Sequence, residues 1–528
     1  MLRDQKFISE ENVLRLEKGK RGILNILFGR TTIILAILAF QFVLMFMAFR
    51  WLEHYTPYIW GAGMILAVGV VIHIMNRPDD PTVKLTWTLL VAVLPFFGTM
   101  LYLWIRNDIG HRLLHKRLDD LLNSTKGLVQ NQPELLEKIK NEEKELYDLA
   151  IYLHRYGSYP VFREEEVKYY PSGESHFEDL LLELEKARQF IFLEYFIIDE
   201  GYMWGRVLSI LRKKVQEGVE VRVMYDGTCA IFKLPYSYPK KLEKLGIRCK
   251  MFAPLRPMVS THYNNRDHRK ILVIDGHTAF TGGVNLADEY INRRNLYGHW
   301  KDTAIMVRGE AVRSFTLMFL QMWNVDEKME RYDRYLRNPL PYRPAGRGYV
   351  LPYGDSPLDG ERTGEMIYYD ILNRAERYVH IMTPYLILDN EMITALSFAA
   401  KRGVEVQIIM PHIPDKEYAF ALAKTYYKQL IQAGVEIYEY LPGFVHAKVF
   451  TSDDKKAVVG TVNLDYRSLY HHFECGLYLH RSGEIATIEK DFQQTLRRCK
   501  KITLEDVKAE KLIRKVTGSL LKLVAPLM

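Results

Sequence analysis

Three uncharged apolar runs open the chain: "TTIILAILAFQFVLMFMAF" (Thr31 to Phe49), "YIWGAGMILAVGVVIHIM" (Tyr58 to Met75) and "LTWTLLVAVLPFFGTMLYLWI" (Leu85 to Ile105), the last broken by Pro95 and Gly98. Runs of this kind match the roughly 20 residues a helix needs to cross a bilayer. Residues 1–110 are therefore read as a membrane region with two to three spans. After Gly110 the pattern turns charged and helical: "LLEKIKNEEKELYDLA" repeats its apolar positions every 3.6 residues, and residues 111–165 read as a helical connector.

Beyond this connector, short apolar runs alternate with amphipathic ones, and they do so twice. "ARQFIFLEYFIID" (Ala187 to Asp199) parallels "AERYVHIMTPYLILD" (Ala375 to Asp389), and "KVQEGVEVRVMYD" (Lys214 to Asp226) parallels "AAKRGVEVQIIMP" (Ala399 to Pro411). In the second pair a helix should end at Gly218 or Gly403 and a strand begin. Strand, helix, strand, helix, strand is the pattern of an α/β layer, expected here with a mainly parallel sheet. The halves are assigned to 166–336 and 355–500, joined by a Pro- and Gly-rich linker, 337–354. A tail, 501–528, starts at a Thr503 cap and sets Val507, Leu512, Val516, Leu520 and Leu523 at helical spacing among lysines. It suits either core packing or an amphipathic helix lying on a membrane.

Each half carries one run that spends polar residues inside an expected strand: "HRKILVID" (His268 to Asp275) and "HAKVFTSD" (His446 to Asp453). The spacing is the same, and each is followed by a matching tail, "GGVN" (Gly282 to Asn285) and "GTVN" (Gly460 to Asn463). About 0.1 chance matches to the bare triplet are expected in such a chain, so two with tails are no accident. Alternation along a strand puts His268, Lys270 and Leu272 on one face and Arg269, Ile271 and Val273 on the other. If folding joins the motifs, two histidines and two lysines make a cationic site suited to a phosphate group. Lys270 and Lys448 would hold its oxygens, with the amides of Asn285 and Asn463 beside them. One histidine could then attack phosphorus while the other protonates the leaving alkoxide. Metal ligation by the histidines is the rival reading, and a lysine two residues after each counts against it.

Composition narrows the setting. A net charge of +8 suits anionic lipid, and by itself would suit nucleic acid equally. Cys229, Cys249, Cys475 and Cys499 show no paired spacing and read as isolated thiols. No "GxxxxGK[ST]" loop is present, so no nucleotide cofactor is expected. Basic residues crowd both before Thr31 and after Ile105, a charge pattern that three full spans cannot satisfy. The Pro-broken third run is the candidate for a re-entrant or interfacial segment.

The paired HxKx4Dx6GGxN and HxKx4Dx6GTxN patterns resemble the phospholipase D superfamily over roughly residues 170–498. The order of the apolar runs, "RPDDPTVKLTWTLLVAVLPFFGTMLYL", the "NLDYRS" after the second motif and the final "APLM" resemble bacterial cardiolipin synthases. That resemblance implies two pseudo-symmetric α-β-α sandwich halves and a multi-pass protein of the bacterial plasma membrane. It also implies conversion of two phosphatidylglycerol molecules into cardiolipin and glycerol, with no metal, cofactor or nucleic-acid partner. Two motifs in one chain remove the need to dimerise for a complete site, and the sequence leaves the oligomeric state open. His268 and His446 would be nucleophile and acid/base, with Lys270, Lys448, Asp275 and Asp453 completing the motifs, although a purely structural role at the strand end suits the two aspartates. Glu474 in "HHFE" resembles the family's acid that orients the second histidine, and Asp302 in "HWKD" would serve the first. His472 departs from the asparagine the family more often shows there. A hydrolytic phospholipase D or transfer to another alcohol shares the motif chemistry, as do the more distant alternatives of a nuclease and an inactive scaffold.

Overall fold

The computed structural model describes residues 13–16, 43, 46–47, 56–106, 109–254, 265–327, 332–337, 346 and 348–527. The first apolar run lies almost wholly outside them. The second forms α1 (Thr56–Met75). The third is two helices rather than one, α2 (Pro81–Val93) and α3 (Pro95–Arg106), because Pro95 cannot continue the α2 ladder. At 13 and 12 residues these helices are roughly 20 Å long each, and Gly98 lets α3 fold back on α2: a Cβ there would meet the Leu90 carbonyl oxygen at 2.7 Å. Among the described residues no helix is long and apolar enough to cross a membrane. The three helices pack through Ala67, Val70, Ile74, Val91 and Tyr102. Ile65, Ile72, Leu85 and Val93 face outward.

The connector is helical as expected, and leads into β1 (Phe162–Arg163). Seven strands of the first half follow: β2 (Glu166–Tyr170), β3 (Phe190–Tyr195), β4 (Glu220–Asp226), β5 (Arg248–Phe252), β6 (Lys270–Ile274), β7 (Thr278–Gly282) and, after the short β8 (His299–Lys301), β9 (Ala304–Arg308). Their order is β2-β9-β7-β6-β3-β4-β5. The second half contributes β10 (Tyr349–Asp355), β11 (Tyr378–Met382), the short β12 (Leu386–Ile387), β13 (Glu405–Pro411), β14 (Glu436–Tyr440), the short β15 (Gly443–Val445), β16 (Val449–Ser452), β17 (Lys456–Gly460), the short β18 (Leu464–Asp465), β19 (Glu474–His480) and β20 (Cys499–Lys501). Here the order is β1-β10-β19-β17-β16-β11-β13-β14-β20, so its central seven strands repeat the first sheet position by position.

The sheets are mixed, not mainly parallel. Only β3/β4/β5 and β11/β13/β14, the strands joined by the recognisable helices, run parallel. The hairpins around each motif are antiparallel. The linker is also shorter than expected, since its last residues enter β10. The expected helix ends hold: Gly218 and Gly403 sit at φ +87° and +94°, where glycine terminates a helix without a Cβ clash.

Each half is an α-β-α sandwich, and the two share a middle layer. Helix α4 (Val312–Trp323) packs on β3 and β6 of its own sheet and on β10 of the other. A helix of the second half, Glu484–Leu496, packs reciprocally on its own strands and on β2. Alternation in the strand after the first motif is as expected: Ile271 and Val273 join this shared core, Leu272 and Ile274 the outer layer. The tail helix α5 (Leu512–Lys522) lies on the helix Glu417–Gln432, with Gly518 so close that a Cβ would meet the Ala421 carbonyl oxygen at 2.3 Å. Its apolar positions Leu512, Val516 and Leu520 are exposed rather than in the core. The end of the chain is held against the first three helices where Thr86 Oγ1 donates to the Leu523 carbonyl oxygen at 2.9 Å.

Candidate active site

The histidines stand just ahead of their strands, not inside them. β6 starts at Lys270, and Lys448 precedes β16 by one residue. What places each histidine is a short parallel pairing between the halves. Asp267 bridges to Phe473, so the next residues, His268 and Glu474, come side by side. β15 pairs with β8 through Val445 and Lys301, so the next residues, His446 and Asp302, do the same.

The consequence is a crossed pairing. His268 Nδ1 lies 2.9 Å from both carboxylate oxygens of Glu474, 206 residues away. His446 Nδ1 lies 2.7 Å from Asp302 Oδ2, 144 residues away. The sequence reading had each carboxylate serving the histidine of its own half; the structure exchanges them, because the pseudo-twofold turns each acid toward the opposite motif. A carboxylate accepts from Nδ1–H, which leaves the Nε2 lone pair for the substrate.

Both amines fold back beneath their histidines, Lys270 Nζ donating to the His268 carbonyl oxygen and Lys448 Nζ to that of His446. His268, Lys270, His446 and Lys448 are all buried, the most open being His446 at 8%. Burial, aided by the neighbouring ammonium groups, pushes His446 down to about 4 and His268 well below its ordinary value. Burial likewise pulls Lys270 down to about 8 and Lys448 to about 7, against the pull of both carboxylates. Burial works against the charge on Glu474 and Asp302 too, yet each ends below the ordinary carboxylate range through its histidine and the nearby lysines. The site by itself thus holds neutral imidazoles on ionised acids, with ammonium groups that an arriving anion would restore to full charge. Phe196 stands 5.0 Å from the His268 ring, and Tyr290 and Trp300 each 5.4 Å from that of His446, so aromatic rings flank both histidines.

The remaining motif residues divide. Asp275 accepts from the backbone N–H groups of Arg188, Gln189 and Phe190 at 2.7–2.9 Å, and Asp453 from those of Glu376, Arg377 and Tyr378 at 2.8–3.0 Å. Both sit at positive φ, +51° and +55°. Neither aspartate touches a motif histidine or lysine through these bonds: they pin the turn after the motif strand to the start of its neighbour, and an aspartate tolerates that left-handed turn. With three hydrogen bonds to a charged acceptor, Asp453→Ala should cost about 3 kcal/mol or more in a denaturant titration, an effect on stability that leaves the histidine pair its partners. The Asn285 amide is largely spoken for, its Oδ1 accepting from Ile197 N at 3.0 Å and its Nδ2 donating to Tyr290 Oη at 2.8 Å. Asn463 is buried with its Oδ1 unpaired among the described residues.

A profile described as "Cardiolipin synthase, PLD-like domain" matches residues 180–323 and 368–496, and one described as "Phospholipase_D-nuclease N-terminal" matches 65–107. The cardiolipin synthase of Alkalihalophilus pseudofirmus is 32% identical over 469 residues, 88% of this chain and 92% of that protein. The chain belongs to the cardiolipin synthase family of phospholipase-D-like enzymes. An uncharacterized protein of Streptococcus mutans is 52% identical over 87% of this chain and all of its own length. The structure of phosphatidylserine synthase from Haemophilus influenzae shares the fold, with a TM-score of 0.56 and 14% identity over 72% of this chain and 98% of that one. As a member of the cardiolipin synthase family, the protein is a phosphatidyltransferase.

Two residues of this cardiolipin synthase-type site escaped the sequence reading. Gly283 and Thr461 occupy equivalent tail positions, and each answers the acid of its own half. Thr461 Oγ1 donates to Glu474 Oε2. At Gly283 a Cβ would meet Asp302 Oδ1 at 2.0 Å. The one signal was the difference between "GGVN" and "GTVN". Gly283→Ala should therefore push Asp302 off His446 and lower transfer by roughly 10²-fold or more, read in a phosphatidyl-transfer assay, whereas Thr461→Ser keeps the hydroxyl and most of the rate.

Burial of neutral histidines also sets acid stability. His176, His446 and His471 are each pushed down to about 4 by burial. Unfolded histidines titrate near 6.5, so between pH 6.5 and 4 the unfolded chain binds more protons and stability falls as pH falls. Each residue costs on the order of 3 kcal/mol across that window. Denaturant midpoints measured from pH 7 to 4.5 should drop steeply, with a slope corresponding to more than one proton.

Proposed function

We propose that the protein joins two phosphatidylglycerol molecules into cardiolipin and glycerol through a phosphohistidine intermediate. The observation that carries this reading is the crossed pair of histidine–carboxylate contacts, which closes one site from both halves over two buried lysines. The Nε2 lone pair of one histidine attacks the phosphorus of the first lipid, and the P–O bond to its terminal glycerol breaks. The departing alkoxide takes the Nε2 proton of the other histidine, and glycerol leaves. That second histidine, now neutral, removes the proton from a glycerol hydroxyl of the second lipid, whose oxygen attacks phosphorus and breaks the P–N bond. Lys270 and Lys448 hold the nonbridging oxygens, with one free N–H of Asn285 and the Asn463 amide in reach as further donors. Entry of the anion favours the imidazolium that the acid step needs, reversing the effect of burial.

One phosphodiester replaces another, so no nucleotide is required. Water is the competing acceptor, and the aromatic walls around both histidines favour the lipid alcohol. The outward apolar side chains of the first three helices and of α5 supply a surface for the bilayer, and we assign the enzyme to the plasma membrane on that basis. Incubating the lipid-embedded protein with labelled phosphatidylglycerol alone tests the reading. Cardiolipin and glycerol in equal amounts are expected; phosphatidic acid as the sole product would make the protein a hydrolase and overturn it.

A further inference from the structure

His472 belongs to no step above, yet it is buried beside His268. It is 8% exposed, its ring centroid is 5.4 Å from that of His268, and neither of its ring nitrogens has a hydrogen-bond partner among the described residues. The closest acid, Glu474 Oε1, is 3.7 Å from its Nδ1, beyond hydrogen-bond reach. A buried imidazole with two idle nitrogens is costly unless something else completes it. One ligand atom each from His268, His472 and Glu474 falls within 4.8 Å of the others. Ligands around a tetrahedral zinc ion stand roughly 3.3 Å apart, so small side-chain rotations close the set.

We propose that His268, His472 and Glu474 form an inhibitory site for a borderline divalent cation such as zinc. Two imidazole nitrogens and one carboxylate oxygen are a fitting donor set, with a fourth position left for water or a phosphate oxygen. Inhibition follows from the imidazole itself and rests on the reading of His268 as a reacting group. A metal on Nε2 takes the lone pair that would attack phosphorus. A metal on Nδ1 displaces that proton, and the neutral ring then carries its hydrogen on Nε2, so the lone pair is lost there as well. In the first case no proton is displaced; in the second the Nδ1 proton is lost and Nε2 holds the ring's hydrogen; neither involves a redox change. Lys270 and Lys448 oppose a cation through their charge, but each amine is turned back onto a backbone carbonyl oxygen, that of His268 or of His446. Magnesium, which prefers oxygen ligands and holds its waters, does not suit this set.

The test compares wild type with His472→Asn in lipid-embedded protein stripped by chelator, using zinc alone as the probe. Zinc binding is read by competition with a chromophoric chelator, which needs no turnover. Wild type should take up one more equivalent than His472→Asn, and the zinc concentration that halves transfer should rise at least about tenfold in the variant. Equal zinc uptake by the two proteins overturns the site, whatever the products of transfer. Should His472→Asn fail to fold, cobalt added to wild type decides: intense visible absorption of a four-coordinate ion is expected, and only the weak spectrum of hydrated cobalt rejects the proposal.

Discussion

His268→Ala and His446→Ala each lower phosphatidyl transfer by on the order of 10⁴-fold or more, while the protein stays folded and keeps its lipid. Removing a nucleophile eliminates the covalent route, and removing an acid leaves a poor alkoxide to depart unaided. The near symmetry of the site makes these losses similar with the natural lipid. They separate when the leaving group changes. A phosphatidyl ester of nitrophenol needs no proton to depart, so the variant lacking the acid recovers release of nitrophenol and accumulates phosphohistidine, and the variant lacking the nucleophile does neither. Full activity in either alanine variant would sink the paired-histidine mechanism.

Glu474→Gln and Asp302→Asn come next, each with a loss of roughly 10³- to 10⁴-fold. An amide is nearly isosteric, but it offers an N–H where Nδ1–H must be accepted, so the ring turns over to the wrong tautomer. Because the contacts cross, the consequence appears in the opposite half. The downfield Nδ1 proton resonance of His268 should vanish in Glu474→Gln and persist in Asp302→Asn, with the reverse for His446. Loss of the resonance of the histidine in the same half would contradict the pairing at 2.9 and 2.7 Å.

Motif spacing made the four central side chains legible before any fold was known, because a buried histidine and lysine two residues apart, repeated at equivalent strands, have no structural need to match. The two acids were legible as residues but not as partners. Nothing local distinguishes the carboxylate that serves its own half from one that serves the other; that choice lives in the parallel bridges at Asp267–Phe473 and Val445–Lys301, which join stretches far apart in the chain. The strand directions were misjudged for a related reason. Helices between strands announce parallel pairs, but the hairpins β6–β7 and β16–β17 carry only turn residues, and their antiparallel run into the sheet centre leaves no periodic trace. The role of Asp275 and Asp453 needed the backbone itself, since a carboxylate collecting three N–H groups at positive φ is invisible in a pattern of letters. The split of the third apolar run at Pro95, by contrast, was written in one residue.

The crossed contacts also bear on synthesis at the ribosome. His268 emerges long before Glu474, and a nascent chain that has completed its first half still lacks the acid that sets the tautomer of its own histidine. Phosphatidyl transfer is thereby withheld until the second half has been translated as far as Glu474, and a product that stops short of it is inert.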